Sequence, residues 1–123
     1  MIDAFDDLPW HDAVLREIII DRKKNDVVKL LIQWTESQES SNIIIEFFGC
    51  YALQANMHFG IVPPDYILDA ACIRESSELE TLKKIWQQMG LDISKICCYR
   101  ITTNSTNSII DIFSLGFRVI NCS

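Results

Sequence analysis

Few residues in this chain have the types and spacing that chemistry needs. His11-Asp12 pairs a base with a carboxylate that could orient it. On an extended arm, however, adjacent side chains point apart, which leaves His11 as a surface or capping residue. His11 or His58 could form a Cys-His nucleophile with one of the five cysteines, a pair that would be assembled in space and leave no mark in the spacing. Cys97 and Cys98, adjacent on a strand, face opposite ways and cannot close on one ion, and the chain has neither CxxC nor HxxxH. Cys50, Cys72 and Cys98 read as small core hydrophobes. Gly49, Gly60, Gly90 and Gly116 belong to no GxGxxG or P-loop pattern. The sequence therefore predicts no catalytic residue, no cofactor and no metal. One alternative is a small-ligand-binding or enzymatic pocket near Tyr51, Gln54, Asn56 and His58, because Gln54 and Asn56 are amides in an apolar stretch and a buried amide needs a partner.

Charge is more directional than any motif. The formal net charge is −6, and Asp3, Asp6, Asp7 and Asp12 all precede the first basic residue, Arg16. Residues 1–12 thus form an acidic arm that repels phosphate backbones and attracts basic proteins. Arg22-Lys23-Lys24 is one basic turn in a chain of pI about 4.7 and reads as a solvated hairpin tip, so no nucleic acid is expected. If a basic protein is bound, the residues chosen for its contact are Asp6, Asp7, Trp10, Asp12 and Glu17, with Trp10 as the aromatic anchor.

The elements that must position these residues start with three apolar runs. Ile18-Ile19-Ile20 within 14–21 is β-branched and fits a pleated sheet better than a helix. Val28, Leu30, Ile32 and Trp34 repeat with a period of two, as do Ile43, Ile45 and Phe47, and polar breaks at 22–26 and 35–41 make the three runs an antiparallel meander. Gly49 ends the third run, at a bulge or close backbone approach. Residues 50–60 read as irregular, with one helical turn and Gly60 as a stop; Pro63-Pro64 is extended, and 66–73 reads as a strand. A helix is predicted over 78–89, with Ser77 and Glu80 as a capping box, Gly90 as its stop, and Leu79, Leu82, Ile85, Trp86 and Met89 on the packing face. Residues 96–103 and 108–114 form a hairpin around Asn104-Ser105-Thr106-Asn107, and Leu115-Gly116 bends the chain before a strand at 117–120. The expectation is a single α+β domain over 1–123, with a mainly antiparallel sheet of six to seven strands covered by one main helix.

With 49% apolar and 23% charged residues the composition is globular, and no run is long enough to cross a membrane. The start lacks the basic and apolar regions of a signal peptide, and an odd cysteine count fits a reducing compartment, so a cytoplasmic protein is expected.

Trp10-His11-Asp12-Ala13-Val14-Leu15 leading into Ile18-Ile19-Ile20-Asp21, together with Phe47 to Met57, resembles small bacterial proteins similar to the immunity proteins of polymorphic or contact-dependent toxin systems. That resemblance implies a cytoplasmic, acidic, non-enzymatic inhibitor that occludes a toxin domain, often a basic nuclease.

Overall fold

A computed structural model describes residues 5–36, 39–60, 66–91, 94–104 and 106–122. The Pro63-Pro64 step, Asp3 and Ser105 of the hairpin break lie outside the described residues.

The strands are β1 (Val14–Asp21), β2 (Val27–Glu36), β3 (Glu39–Asn56), β4 (Ile67–Ile73), β5 (Cys97–Thr103) and β6 (Ile109–Cys122), with the helix α1 (Ser77–Gln88) between β4 and β5. They form one antiparallel sheet in the order β1-β2-β3-β6-β5-β4. This is the expected α+β architecture with one main helix, with six strands, and the expected N-terminal meander is present, with Val28, Leu30 and Ile32 paired with Phe47, Ile45 and Ile43.

Polar residues do not end the strands where their composition suggests. β2 and β3 continue to a Glu36–Glu39 pair, because ladder hydrogen bonds are made by backbone and do not need apolar side chains. Residues 50–56, expected to be irregular, are the second half of the 18-residue β3. Gly49 bends that strand without ending it: its φ is 60°, the register shifts between Cys50 and Ala52, and a Cβ at Gly49 would lie 2.6 Å from Leu115 Cδ1. Beyond the bulge, pairing of Ala52 to Asn56 with Phe113 to Ile109 overrides the helical preference of Ala52, Leu53 and Gln54. Gly60 caps no helix. The bend expected at Leu115-Gly116 is also absent, since β6 is one strand of 14 residues. Gly116 serves a close approach instead: a Cβ there would sit 2.7 Å from Cζ of Phe48, whose ring lies across the strand.

The sheet curls until its outer strands touch. Val14 bridges Tyr66, the residue before β4, and Ile67 N–H donates to Ala13 O at 2.7 Å. The larger core lies inside the curl and includes Leu30, Ile32, Ile45, Phe47, Ile101 and Ile112. Phe5 of the N-terminal arm is inserted into it, fully buried, with ring centroids 4.8 Å from Tyr99, 4.9 Å from Trp10 and 5.1 Å from Phe117. Trp10 lies over the core and donates Nε1–H to Phe5 O at 2.6 Å.

The helix covers a smaller cluster, Leu79, Ile96, Cys98 and Phe113, on the other face of the sheet. Its packing stripe is narrower than the sequence implied: Leu79, Leu82 and Trp86 face the sheet, while Ile85 and Met89 are 49% and 68% exposed. Ser76, one residue earlier than expected, is the N-cap, accepting from Leu79 N–H at 3.1 Å, so the Ser77–Glu80 capping box does not form. At the other end Gly90 has φ 80°, Gly90 N–H donates to Gln87 O and Leu91 N–H to Trp86 O, which is a Schellman stop. No described helix is long and apolar enough to cross a membrane.

These packing assignments predict a contrast measurable by urea denaturation. Phe5→Ala should destabilise the fold by about 3–5 kcal/mol, the range for a fully buried Phe. Ile85→Glu should stay within about 0.5 kcal/mol of the parent, although both residues are large and apolar in the sequence.

Candidate functional site

The N-terminal arm runs antiparallel to the outer edge of β4. Asp12 N–H donates to Ile67 O at 3.2 Å, and Asp6 Oδ1 accepts from Cys72 N–H at 2.7 Å, which satisfies a backbone donor that an edge strand would otherwise leave open. Asp69 of β4 falls between these two anchor points along the strand. Asp6, Asp7, Asp12 and Asp69 are all exposed along this seam, beside Tyr66 and Leu68, which are 38% and 49% exposed. The seam is thus acidic with two large side chains in solvent.

The residues chosen from sequence divide here. Asp6, Asp7 and Asp12 share the seam, and Glu17 is exposed on the neighbouring part of β1. Trp10 is only 4% exposed and its indole N–H is already bonded, so it serves the core and offers no anchor to a partner. Tyr66, Leu68 and Asp69 were not chosen. The stretch 66–73 is short and ambiguous as text, and only the pairing of β4 with β5 and with the arm decides which of its side chains face outward.

His11 and Asp12 do meet, contrary to the expectation for an extended arm. Asp12 has φ 65°, a left-handed conformation that Asp tolerates, and this turns its carboxylate back until Oδ2 is 3.1 Å from His11 Nδ1. Both side chains are more than 70% exposed (78% and 73%), so this contact is hydrated and of little energetic weight.

Of the residues read as a pocket, Tyr51, Gln54, Asn56 and His58, Tyr51 alone is half-buried. Gln54, Asn56 and His58 are exposed, so the two amides find partners in water, and the Tyr51 ring packs on Trp86 at 5.3 Å under the helix. His58 is tied down only through its backbone N–H, which donates to Ser108 Oγ at 3.0 Å. The basic hairpin tip is as expected: Arg22 Nε holds Asp26 Oδ1 at 2.9 Å and Lys23 N–H donates to Asp21 Oδ1 at 3.0 Å, all in solvent.

The thiols are placed for packing. Cys97 faces the interior cluster and Cys98 the helix side, the opposite orientations expected of neighbours on a strand. Burial pushes Cys50 upward and raises Cys72 and Cys98 to about 12, with Asp111 adding to the effect at Cys98. Such thiols stay protonated at neutral pH, which makes them poor nucleophiles and poor metal ligands. Among the described residues no three His, Cys, Asp or Glu side chains group as a metal site would require. The one buried carboxylate on the helix side, Asp111, receives a bidentate clamp from Arg100, with Nε at 2.7 Å and Nη2 at 3.0 Å; Glu78 of α1 stands 3.9 Å from the same guanidinium. This clamp joins β5, β6 and the first turn of the helix.

The raised thiols give a stability prediction. A thiol that ionises from 9.0 when unfolded and only near 12 when folded favours the folded state fully below pH 9, and that contribution is lost as pH rises from 9 to 12. The urea midpoint should therefore fall steadily between pH 9 and 11, and Cys98→Ala should flatten the fall. An unchanged slope in that variant would remove Cys98 as its source. No family model matches the chain, and no curated protein matches it.

Proposed function

We propose that this chain is a non-enzymatic binding protein of the immunity type, acting in the cytoplasm as an inhibitor that occludes a basic toxin domain. The observation that carries this reading is the seam, where Asp7, Asp12 and Asp69 are exposed along the same edge as Tyr66 and Leu68, an edge held by Asp6. The acids raise the encounter rate of a basic partner, and the two large side chains supply desolvated contact once it has docked. Raised thiol pKa values and a solvent-exposed His11–Asp12 pair support a protein that acts by covering a surface and not by turning over a substrate.

Co-expression with the toxin-like product of an adjacent reading frame tests the proposal. A stable complex should form, its association rate should fall steeply as salt rises, and Asp7→Lys with Asp69→Lys should slow association about tenfold at low salt. The urea midpoint of that double variant should be nearly unchanged, because exposed charges contribute little. Asp6 is left intact in this design, since it caps Cys72 N–H and its reversal would disturb the edge. A complex whose association is the same in the folded variant would place the interface elsewhere, and failure of any complex to form would end the immunity reading.

A further inference from the structure

β5 begins at Cys97, opposite Ser114, whereas β6 runs on to Cys122 and from Leu115 pairs only with β3 among the described residues. A notch opens where β5 stops. It is a cavity of about 520 Å³, within the range of small-molecule sites, and its lining includes Arg74, Lys83, Lys95, Phe48, Tyr99 and Phe117.

Its charge is the reverse of the protein's. In a chain of net −6, three of the eleven basic residues line this one cavity, and no Asp or Glu is among its described lining residues. They come from three places: Arg74 just after β4, Lys83 in the middle of α1 and Lys95 just before β5. The other four arginines each hold an acid or amide oxygen: Arg16 on Gln33, Arg22 on Asp26, Arg100 on Asp111 and Arg118 on Glu46. Arg74, Lys83 and Lys95 form no ion pair among the described residues. Three cations around one cavity whose described lining holds no acid make it a place where an anion meets mainly opposite charge. Apart from Ser94 the rest of the wall is mainly apolar. The Phe48 ring abuts Gly116 with its Cζ end and carries the Arg118 guanidinium 5.0 Å from its centroid, and the Tyr99 and Phe117 rings meet edge to face at 5.6 Å.

We propose that this notch binds a small organic anion, a carboxylate or phosphate monoester on an aromatic or acyl body, with Arg74, Lys83 and Lys95 around the charged group and Phe48 and Phe117 against the body. The site shares no lining residue with the acidic seam, although it adjoins the seam's Asp6 end, and it does not depend on the immunity reading. The two ends of such a ligand ask for different things, which makes the proposal testable by dissection.

The test is a calorimetric and amide-shift NMR titration of the full chain with phenyl phosphate, benzoate, phenol and inorganic phosphate. At least one of the aromatic anions should bind saturably and at least about tenfold more tightly than both phenol and inorganic phosphate, and the shifts should centre on Arg74, Lys83, Cys97 and Gly116. Lys83→Ala with Lys95→Ala should weaken it at least about tenfold, while Lys24→Ala in the β1–β2 turn should leave it unchanged. Equal affinity for phenol would mean an apolar hole without anion recognition, and overturns the proposal. So would an equal loss from Lys24→Ala, shifts elsewhere, or no saturable binding of either aromatic anion up to about 10 mM, a limit of weak affinity beyond which contact is non-specific. The shift map on the unaltered chain keeps the test decisive even if the double variant folds poorly.

Discussion

Both faces of the sheet carry apolar side chains, and the one helix among the described residues, twelve residues long, is too short to cover either. Twelve residues span about 18 Å, while six strands side by side are roughly 24 Å across. The inner face must therefore bury itself, and it does so by curling until Tyr66 meets Val14 and by taking Phe5 of the arm into the space that the curl encloses. Phe5 touches rings from β3, β6 and β5 at once, through Phe47, Phe117 and Tyr99, so one residue outside the sheet packs across three adjacent strands. The helix, relieved of the larger task, is pinned over Cys98 and Phe113 by the Arg100–Asp111 clamp and the packing of Leu79. That clamp is specific rather than strongly stabilising, because desolvation of a buried carboxylate offsets much of the attraction it gains.

The meander and the helix were legible because each repeats one period over enough residues. Val28 to Trp34 and Ile43 to Phe47 alternate cleanly, and Leu79, Leu82 and Trp86 recur at helical spacing. What could not be read depends on partners distant in sequence. Ala52, Leu53 and Gln54 are strand residues only because β6 pairs with them, and Gly116 avoids a clash with Phe48 rather than making a turn. Ile85 and Met89 share the helical period with the packing residues, yet they lie at the margin of the stripe and past the helix end, where no strand faces them. Asp12 defeated the rule that neighbours diverge for a local reason: Ala13 N–H donates to Trp10 O at 3.0 Å, and the left-handed φ of Asp12 lies inside that tight turn, whereas the rule assumes an extended arm.

The candidate sites were half legible for the same reason. Linear counting of acids found Asp6, Asp7 and Asp12, since they are close in sequence, but it could not find Asp69, which reaches them only by strand and arm pairing. It also misassigned Trp10, whose type suits an interface and whose position suits a core; burial decided for the core. The cations of the notch are more dispersed still, at 74, 83 and 95, and no window of sequence shows them as a group. Net charge thus described neither surface well: −6 is the sum of an acidic seam and a basic notch, and a partner near the surface responds to the nearer field, because salt screens the rest beyond about 8–10 Å.

The arm is what makes the seam a surface of fixed shape. A free N-terminal segment bearing the same aspartates would attract a basic protein but would lose its own freedom on binding, at about 1–2 kcal/mol for each backbone residue ordered. Here residues 5–12 are already held in place before any partner arrives. Releasing the arm would return Phe5 to water, about 1.5–3 kcal/mol for its side chain alone, and would leave Cys72 N–H and Ile67 O without their partners. The acids are consequently held by the same burial that closes the sheet, so the interaction that stabilises the fold also preorganises the charge it displays.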